Sequence, residues 1–258
     1  MAEAEPLLRI ADVSVRFGGV RALDGVTCHV NAGEICGLIG PNGAGKTTLF
    51  NCITRFYTVA AGSISFAGQR IDGVPARHVV SLGIARTFQN LGIYPEMTVQ
   101  ENVLLGTHHS HGGRFFRTVV RPWQSNAQER QATEWCRSIL HALDLDNFGQ
   151  ERAGNLPYGT LKRVEIARAL AARPRLLLLD EPAAGLNHGE RIEFAGLIRR
   201  IRDEFDLTVL LVEHQMGLVM SLCGRLLVLH LGRLLAEGAP ATVSANPAVV
   251  TAYLGEAA

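Results

Sequence analysis

Gly40-Pro41-Asn42-Gly43-Ala44-Gly45-Lys46-Thr47 has the residue types and spacing of a phosphate cradle, G-x-x-x-x-G-K-[ST], after the apolar run Ile35–Ile39. Glycines let successive backbone N–H groups close around phosphate oxygens where a Cβ would clash. A helix beginning near Lys46 points the positive end of its dipole at the same oxygens. Lys46 places a point charge on the β- and γ-phosphates, and the Thr47 hydroxyl is suited to ligate Mg²⁺. Gly40, Pro41, Asn42, Gly43, Ala44, Gly45, Lys46, Thr47 and Thr48 are therefore the expected phosphate-binding stretch. A second set follows the apolar run Leu176-Leu177-Leu178-Leu179, which ends in Asp180-Glu181. Such a strand delivers two adjacent carboxylates at its C-terminal edge, where ligands bind in open α/β sheets. Asp180 is suited to hold Mg²⁺ through water, and Glu181 to polarise an attacking water as general base.

The elements that must carry these residues alternate between apolar strand-like runs and helical patterns, which argues for α/β architecture. Strands are expected at Leu7 to Phe17, Val26 to Val30, Ile35 to Ile39 and Ser63 to Ala67. From about Thr98 to Leu143 the chain has few β-branched runs and reads as helix, loop, helix. Strand–helix alternation then returns, with one helix carrying the stripe Phe194, Leu197, Ile198, Ile201 and Phe205. The simplest reading is one α/β core with a helical insertion. The chain has 258 residues, 25 Lys plus Arg against 24 Asp plus Glu, and a net charge of +1. That balance gives no electrostatic argument for nucleic acid as a partner. No apolar run approaches the roughly 18 residues needed to span a bilayer. The acidic start Met1-Ala2-Glu3-Ala4-Glu5-Pro6 lacks the apolar region of a secretory signal. Cys28, Cys36, Cys52, Cys136 and Cys223 are scattered and unpaired by motif, which fits reduced structural thiols.

Further residues narrow the class. Leu156-Pro157-Tyr158-Gly159-Thr160 opens a basic, Ala-rich helical stretch; Gln89 follows the run Ile84–Phe88; His214 follows the strand-like Leu207–Val212. In this order and spacing they match the signature, Q-loop glutamine and switch histidine of one family. The chain resembles ABC transporter ATPase subunits along nearly its whole length, and within them the branched-chain amino-acid importer ATPases with the longer helical insertion. The resemblance rests on Arg16-Phe17-Gly18-Gly19, Gly40 to Asn51, Gly83 to Asn90, Asp180 to Asn187, Val212-Glu213-His214 and Ala252-Tyr253-Leu254-Gly255. Urea and amide importers look similar; an exporter motor or a non-transport ABC ATPase is the further alternative.

That resemblance implies a P-loop NTPase core with an antiparallel β subdomain and an inserted α-helical subdomain. The core would take 1–90 and 160–258, the helical lobe 91–159, and a C-terminal extension 239–258. ATP and Mg²⁺ are the implied cofactors, with Thr47, Gln89 and Asp180 at the metal. Lys46, Gln89, Glu181 and His214 would serve catalysis. Phe17 would stack on adenine, an interaction typically worth ~1–3 kcal/mol, with a strand-core phenylalanine as the lesser alternative. Pro157, Tyr158 and Gly159 would face the ATP of a second ATPase subunit, and Ala184-Gly185-Leu186-Asn187 would link the two sites. Transmembrane permease subunits, and indirectly a solute-binding protein, are the implied partners, at the cytoplasmic face of the membrane.

Three departures stand out. The signature usually reads Leu-Ser-Gly-Gly-Gln, whereas Pro157, Tyr158 and Thr160 replace Ser, the first Gly and Gln here. Pro157 is expected in the first helical turn, where its missing N–H needs no partner. Gln215 and Asn187 stand where acids are common. In the insertion, Arg114, Phe115, Phe116, Arg117, Arg121 and Trp123 interleave basic and aromatic residues. A solvated loop is the favoured reading over a membrane contact. Solvent-exposed histidines are likewise favoured over a metal site for His108, His109 and His111.

Overall fold

The computed structural model describes residues 5–87, 92–107 and 126–254. In chain order its elements begin with β1 (Leu8–Phe17), β2 (Val20–Val30), β3 (Ile35–Ile39), α1 (Lys46–Ile53), β4 (Ala61–Phe66) and β5 (Gln69–Arg70). Next come α2 (Ala76–Val79), β6 (Ile84–Arg86), α3 (Val99–Leu105), α4 (Asn126–Ala142), α5 (Tyr158–Ala171) and β7 (Leu176–Asp180). The rest are α6 (His188–Glu204), β8 (Thr208–Val212), α7 (Met216–Leu222), β9 (Arg225–His230), β10 (Arg233–Gly238), α8 (Pro240–Ser244) and α9 (Pro247–Leu254).

Two sheets result. Strands β2-β1-β4-β5 form an antiparallel sheet, and the second runs β10-β9-β3-β8-β7-β6. Along β1 the inward residues Leu8, Ile10, Val13 and Val15 are buried while Arg9, Asp12 and Arg16 face water, the alternation of a sheet packed on one side. The inner strands of the other sheet do not alternate. Every residue of β3, β7 and β8 is buried, as parallel strands covered on both faces require. Strand β3 pairs in parallel with both β8 and β9. The β9–β10 pair is antiparallel.

The chain divides into two compact units, the first made of Met1–Val79, Leu178–Pro182 and Leu207–Ala258, the second of Val80–Leu177 and Ala183–Asp206. The second unit takes in the described part of the expected lobe 91–159 together with α5 and α6. In α6 the expected stripe is buried at Phe194, Leu197, Ile198 and Ile201. Phe205 ends that helix half-buried, edge-on to Trp135 at 5.3 Å. The expected extension 239–258 carries α8 and α9.

Two strands differ from the sequence expectation. Strand β2 begins at Val20, because Gly18 at φ 57 turns the chain tightly enough for Val20 to pair with Phe17. Strand β4 is shifted toward the N-terminus, because Ala61 pairs with Ser14 and the chain turns at Ala67. No helix among the described residues is long and apolar enough to cross a membrane.

Candidate nucleotide-binding site

The cradle is built where β3 meets α1. Gly40 has φ +148, and a Cβ there would lie 2.1 Å from the Leu229 carbonyl oxygen, so no other residue fits without moving β9. At Gly45, φ is +102 and a Cβ would lie 2.7 Å from the Ala22 carbonyl oxygen. Between them Asn42 and Gly43 are exposed and Ala44 is buried. The first turn of α1 has neither an acidic residue nor a side-chain cap, so no carboxylate or capping side chain there opposes an incoming anion. Lys46 is buried and its Nζ donates to the carbonyls of Gly40 and Pro41, each at 2.7 Å. Thr47 is exposed beside it, and Thr48 is half-buried.

Sequence reasoning did not find what holds the loop from behind. The amide of Gly232, in the β9–β10 turn, donates to the Ala44 carbonyl at 3.0 Å, and the Asp24 amide donates to the Gly232 carbonyl at 2.8 Å. Arg233 donates twice to the Asp24 carboxylate, at 3.0 and 2.6 Å, which holds that carboxyl below its usual range. The Leu-Gly turn between two strands was the available signal.

Strand β7 ends in Asp180, buried at its C-terminal edge. Glu181 then takes φ 49, a left-handed conformation rare outside glycine. Its amide donates to the Val212 carbonyl at 2.9 Å, at the end of β8. Its Oε1 lies 2.6 Å from Nε2 of His214. The buried Glu213 accepts from the His214 amide at 3.0 Å and fixes the backbone that carries the imidazole. Glu181 and His214 are thus brought together, both partly open to solvent. Threonine hydroxyl and aspartate carboxylate are hard oxygen donors, a set that fits Mg²⁺. Gln89, the third expected ligand, lies outside the described residues, as do His108, His109, His111 and Arg114 to Trp123.

Phe17 is 47 % exposed at the end of β1, not in the core, and meets Tyr57 edge-on at 4.9 Å with the rings 70° apart. That leaves a face of the Phe17 ring for a planar ligand. In the second unit Pro157 is the N-cap of α5, one position before the expected first turn, with φ −58 and ψ 152. The extended ψ places Pro157 outside the helix while its carbonyl still accepts from the Leu161 amide at 3.0 Å. Tyr158 is exposed and Gly159 half-buried at the helix start. Asn187 caps α6: its side chain accepts from the Glu190 amide at 3.0 Å, and Glu190 accepts from the Asn187 amide at 2.7 Å. The Asn-x-x-Glu spacing was the overlooked signal for this capping box.

A sequence model of the ABC transporter family matches residues 23–184, more than half of the chain. The chain belongs to the ABC transporter family. As an ATP-binding cassette of that family it is an ATPase that works in transport. A second model, described as a branched-chain amino acid ATP-binding cassette transporter, matches residues 233–258 of the cassette. It is 42 % identical to the high-affinity branched-chain amino acid transport ATP-binding protein BraF of Pseudomonas aeruginosa, over 98 % of this chain and 100 % of the relative. It is 40 % identical to LivG of Escherichia coli, a protein of the same description, over 98 % and 100 %. A solved ADP conformation of an ATP-binding cassette of an ABC transporter superposes with a TM-score of 0.85 at 33 % identity, covering 98 % of this chain and 100 % of that one.

Proposed function

We propose that this cassette is one of two ATP-hydrolysing subunits of an importer for branched-chain amino acids, bound peripherally at the cytoplasmic face of the membrane. The observation that carries the reading is the end-to-end likeness to BraF and LivG, with the 233–258 match included. The site supports it chemically. Loop amides from Gly40 to Thr48 and the N-terminus of α1 receive the phosphates, and Lys46 exchanges its two carbonyl acceptors for phosphate oxygens. Phe17 offers its ring to the adenine. Glu181 takes a proton from the water that attacks the γ-phosphorus, the β–γ bridge breaks, and ADP and phosphate leave. With Glu181 ionised, Nε2 of His214 carries the proton between them and aims the carboxylate. Thr47, Asp180 and Gln89 would hold Mg²⁺, which supplies charge neutralisation on the β- and γ-phosphates.

Tyr158 and Gly159 contribute to the second subunit's site through their backbone N–H groups and the dipole of α5, with Pro157 at the N-cap, since the serine hydroxyl is missing. The lobe assigned to 91–159 faces the permease subunits. Within it the backbone of Tyr94 is fixed by Asn102, which accepts from its amide at 2.9 Å and donates to its carbonyl at 3.0 Å, while the residue is 54 % exposed. A rigid loop with an outward aromatic suits a groove for a short helix of a membrane partner.

The test is reconstitution. The cassette, co-expressed with its neighbouring membrane subunits and binding protein, is placed in vesicles with ATP on the cassette side. Leucine uptake in wild type and none in Glu181→Gln is the expected result. Uptake of urea or an amide without leucine would replace the substrate, and outward movement would overturn import.

A further inference from the structure

Tyr158 stands where the family pattern has glycine, and the structure gives its ring a seat. A Cβ built on Gly185 would come within 2.9 Å of Tyr158 Cε1 and 3.5 Å of Cδ1, so the ring lies directly on the backbone of the Ala183–Asn187 segment. Gly185 itself sits at φ +83. One helical turn after Tyr158, Nζ of Lys162 lies 5.5 Å from the ring centroid. The Lys162 side chain is 3 % exposed, and its nearest carboxylate oxygen, on the equally buried Glu165, is 3.9 Å away. An ammonium so far from water gains more from an aromatic face than an exposed one does. Gly159, the next residue, is close to the same segment: a Cβ there would lie 3.6 Å from Leu186 Cδ2 and from Glu190 Oε1. The segment's far end is fixed by the Asn187 capping box. The chain from Ala183 to Asn187 is thus pinned at Gly185 by the ring and at Asn187 by the cap.

We propose that Tyr158 is a positioning residue for ATP hydrolysis. Its ring, held over Lys162, locks Ala183–Asn187 in register with the start of α5, so both segments present themselves to the second subunit's nucleotide as one piece. The tyrosine at 158 and the glycine at 185 are two halves of one contact. The inference rests on the reading of these segments as the half-site offered to the other subunit.

A double-mutant cycle on the steady-state ATPase of the assembled transporter tests it. Gly185→Ala drives a methyl into the ring and is expected to lower kcat on the order of tenfold by misplacing the segment, with KM for ATP unchanged because the Lys46 loop is untouched. In a Tyr158→Ala background the same substitution should cost almost nothing further; in Tyr158→Phe, which keeps the ring, it should cost the full factor. The strain of alanine at φ +83 is common to all backgrounds and cancels. Calorimetric ATP affinity of each variant reports an intact phosphate loop. Should Gly185→Ala not fold, Lys162→Met serves in its place, lowering kcat in the wild type and not in Tyr158→Ala. Additive losses with Tyr158→Ala would overturn the positioning role and leave the half-site reading standing. A Tyr158→Ala enzyme with wild-type kcat would likewise overturn the positioning role and leave the half-site reading, which rests on backbone N–H groups, standing.

Discussion

Replacing Glu181 by glycine is expected to give a more stable protein than replacing it by glutamine, although both changes stop the chemistry. At φ 49 an L-residue is in the left-handed region, which costs roughly 1–2 kcal/mol. Glutamine keeps that strain. Glycine removes it and loses about 0.5–1 kcal/mol through the greater freedom of the unfolded chain. At the midpoints of these ranges the difference favours glycine by about 0.75 kcal/mol. The 2.6 Å contact with His214 would distort the comparison, because glutamine can still reach the imidazole and glycine cannot. Both substitutions are therefore made in a His214→Ala background. A chain of this size shifts its Tm by about 2–4 °C per kcal/mol, so Glu181→Gly should melt roughly 1–4 °C above Glu181→Gln in nucleotide-free thermal scans. Hydrolysis in the otherwise wild-type chain should fall by roughly 10²–10⁴ for either change, the scale of a lost general base. A glycine variant melting at or below the glutamine variant would refute the strain argument. Wild-type hydrolysis by Glu181→Gln would remove Glu181 from its role.

Phe17→Ala should weaken ATP binding by ~1–3 kcal/mol and leave inorganic triphosphate binding unchanged, by calorimetry, since the ring meets only the base. Asn187→Ala should cost roughly 0.5–2 kcal/mol in denaturant titration through the lost cap, whereas Asn187→Asp keeps the acceptor and the stability. Burial pushes the Cys28 and Cys223 thiols up to about 12 and those of Cys52 and Cys136 to about 11, from 9.0. The unfolded chain then ionises first as pH rises. The thiol contribution is complete below pH 9 and is lost from there toward 11–12, at about 1.4 kcal/mol per pH unit and thiol. Urea midpoints that stay flat across this window, or a Cys28→Ser variant with an equally steep decline, would refute it.

Chemistry was legible in the sequence wherever one short stretch holds a whole device. The phosphate loop is such a stretch, because its glycines, lysine and threonine all lie between Gly40 and Thr47. The buried strands β3, β7 and β8 were legible for the same reason, as unbroken apolar runs. What stayed hidden depends on residues distant in the chain. The brace from Asp24 through Gly232 to Ala44 joins three segments, and no spacing rule connects them. The left-handed turn of Glu181 comes from the need to hydrogen-bond Val212 while aiming at His214, which its own neighbours do not announce. Tyr158 read as a defect in the signature until Gly185 was found beneath it. The Asn187 cap, by contrast, is local: its Asn-x-x-Glu spacing sits at the same residue that fills a family position.

The pairing of β3 has a consequence for synthesis. The strand that launches the phosphate loop has β8 and β9 as its neighbours, and both are made only after residue 207. The amide that grips Ala44 arrives later still, at Gly232. A nascent chain therefore carries the finished nucleotide-binding sequence for most of its time on the ribosome with no nucleotide-binding structure, and its apolar β3 has no strand beside it. Such distant pairing folds late and leaves sticky edges exposed meanwhile. ATP in the cell stabilises only what can bind it, so it gives no help to the growing chain. It begins to act as a folding ligand only once the last strands of the sheet have emerged.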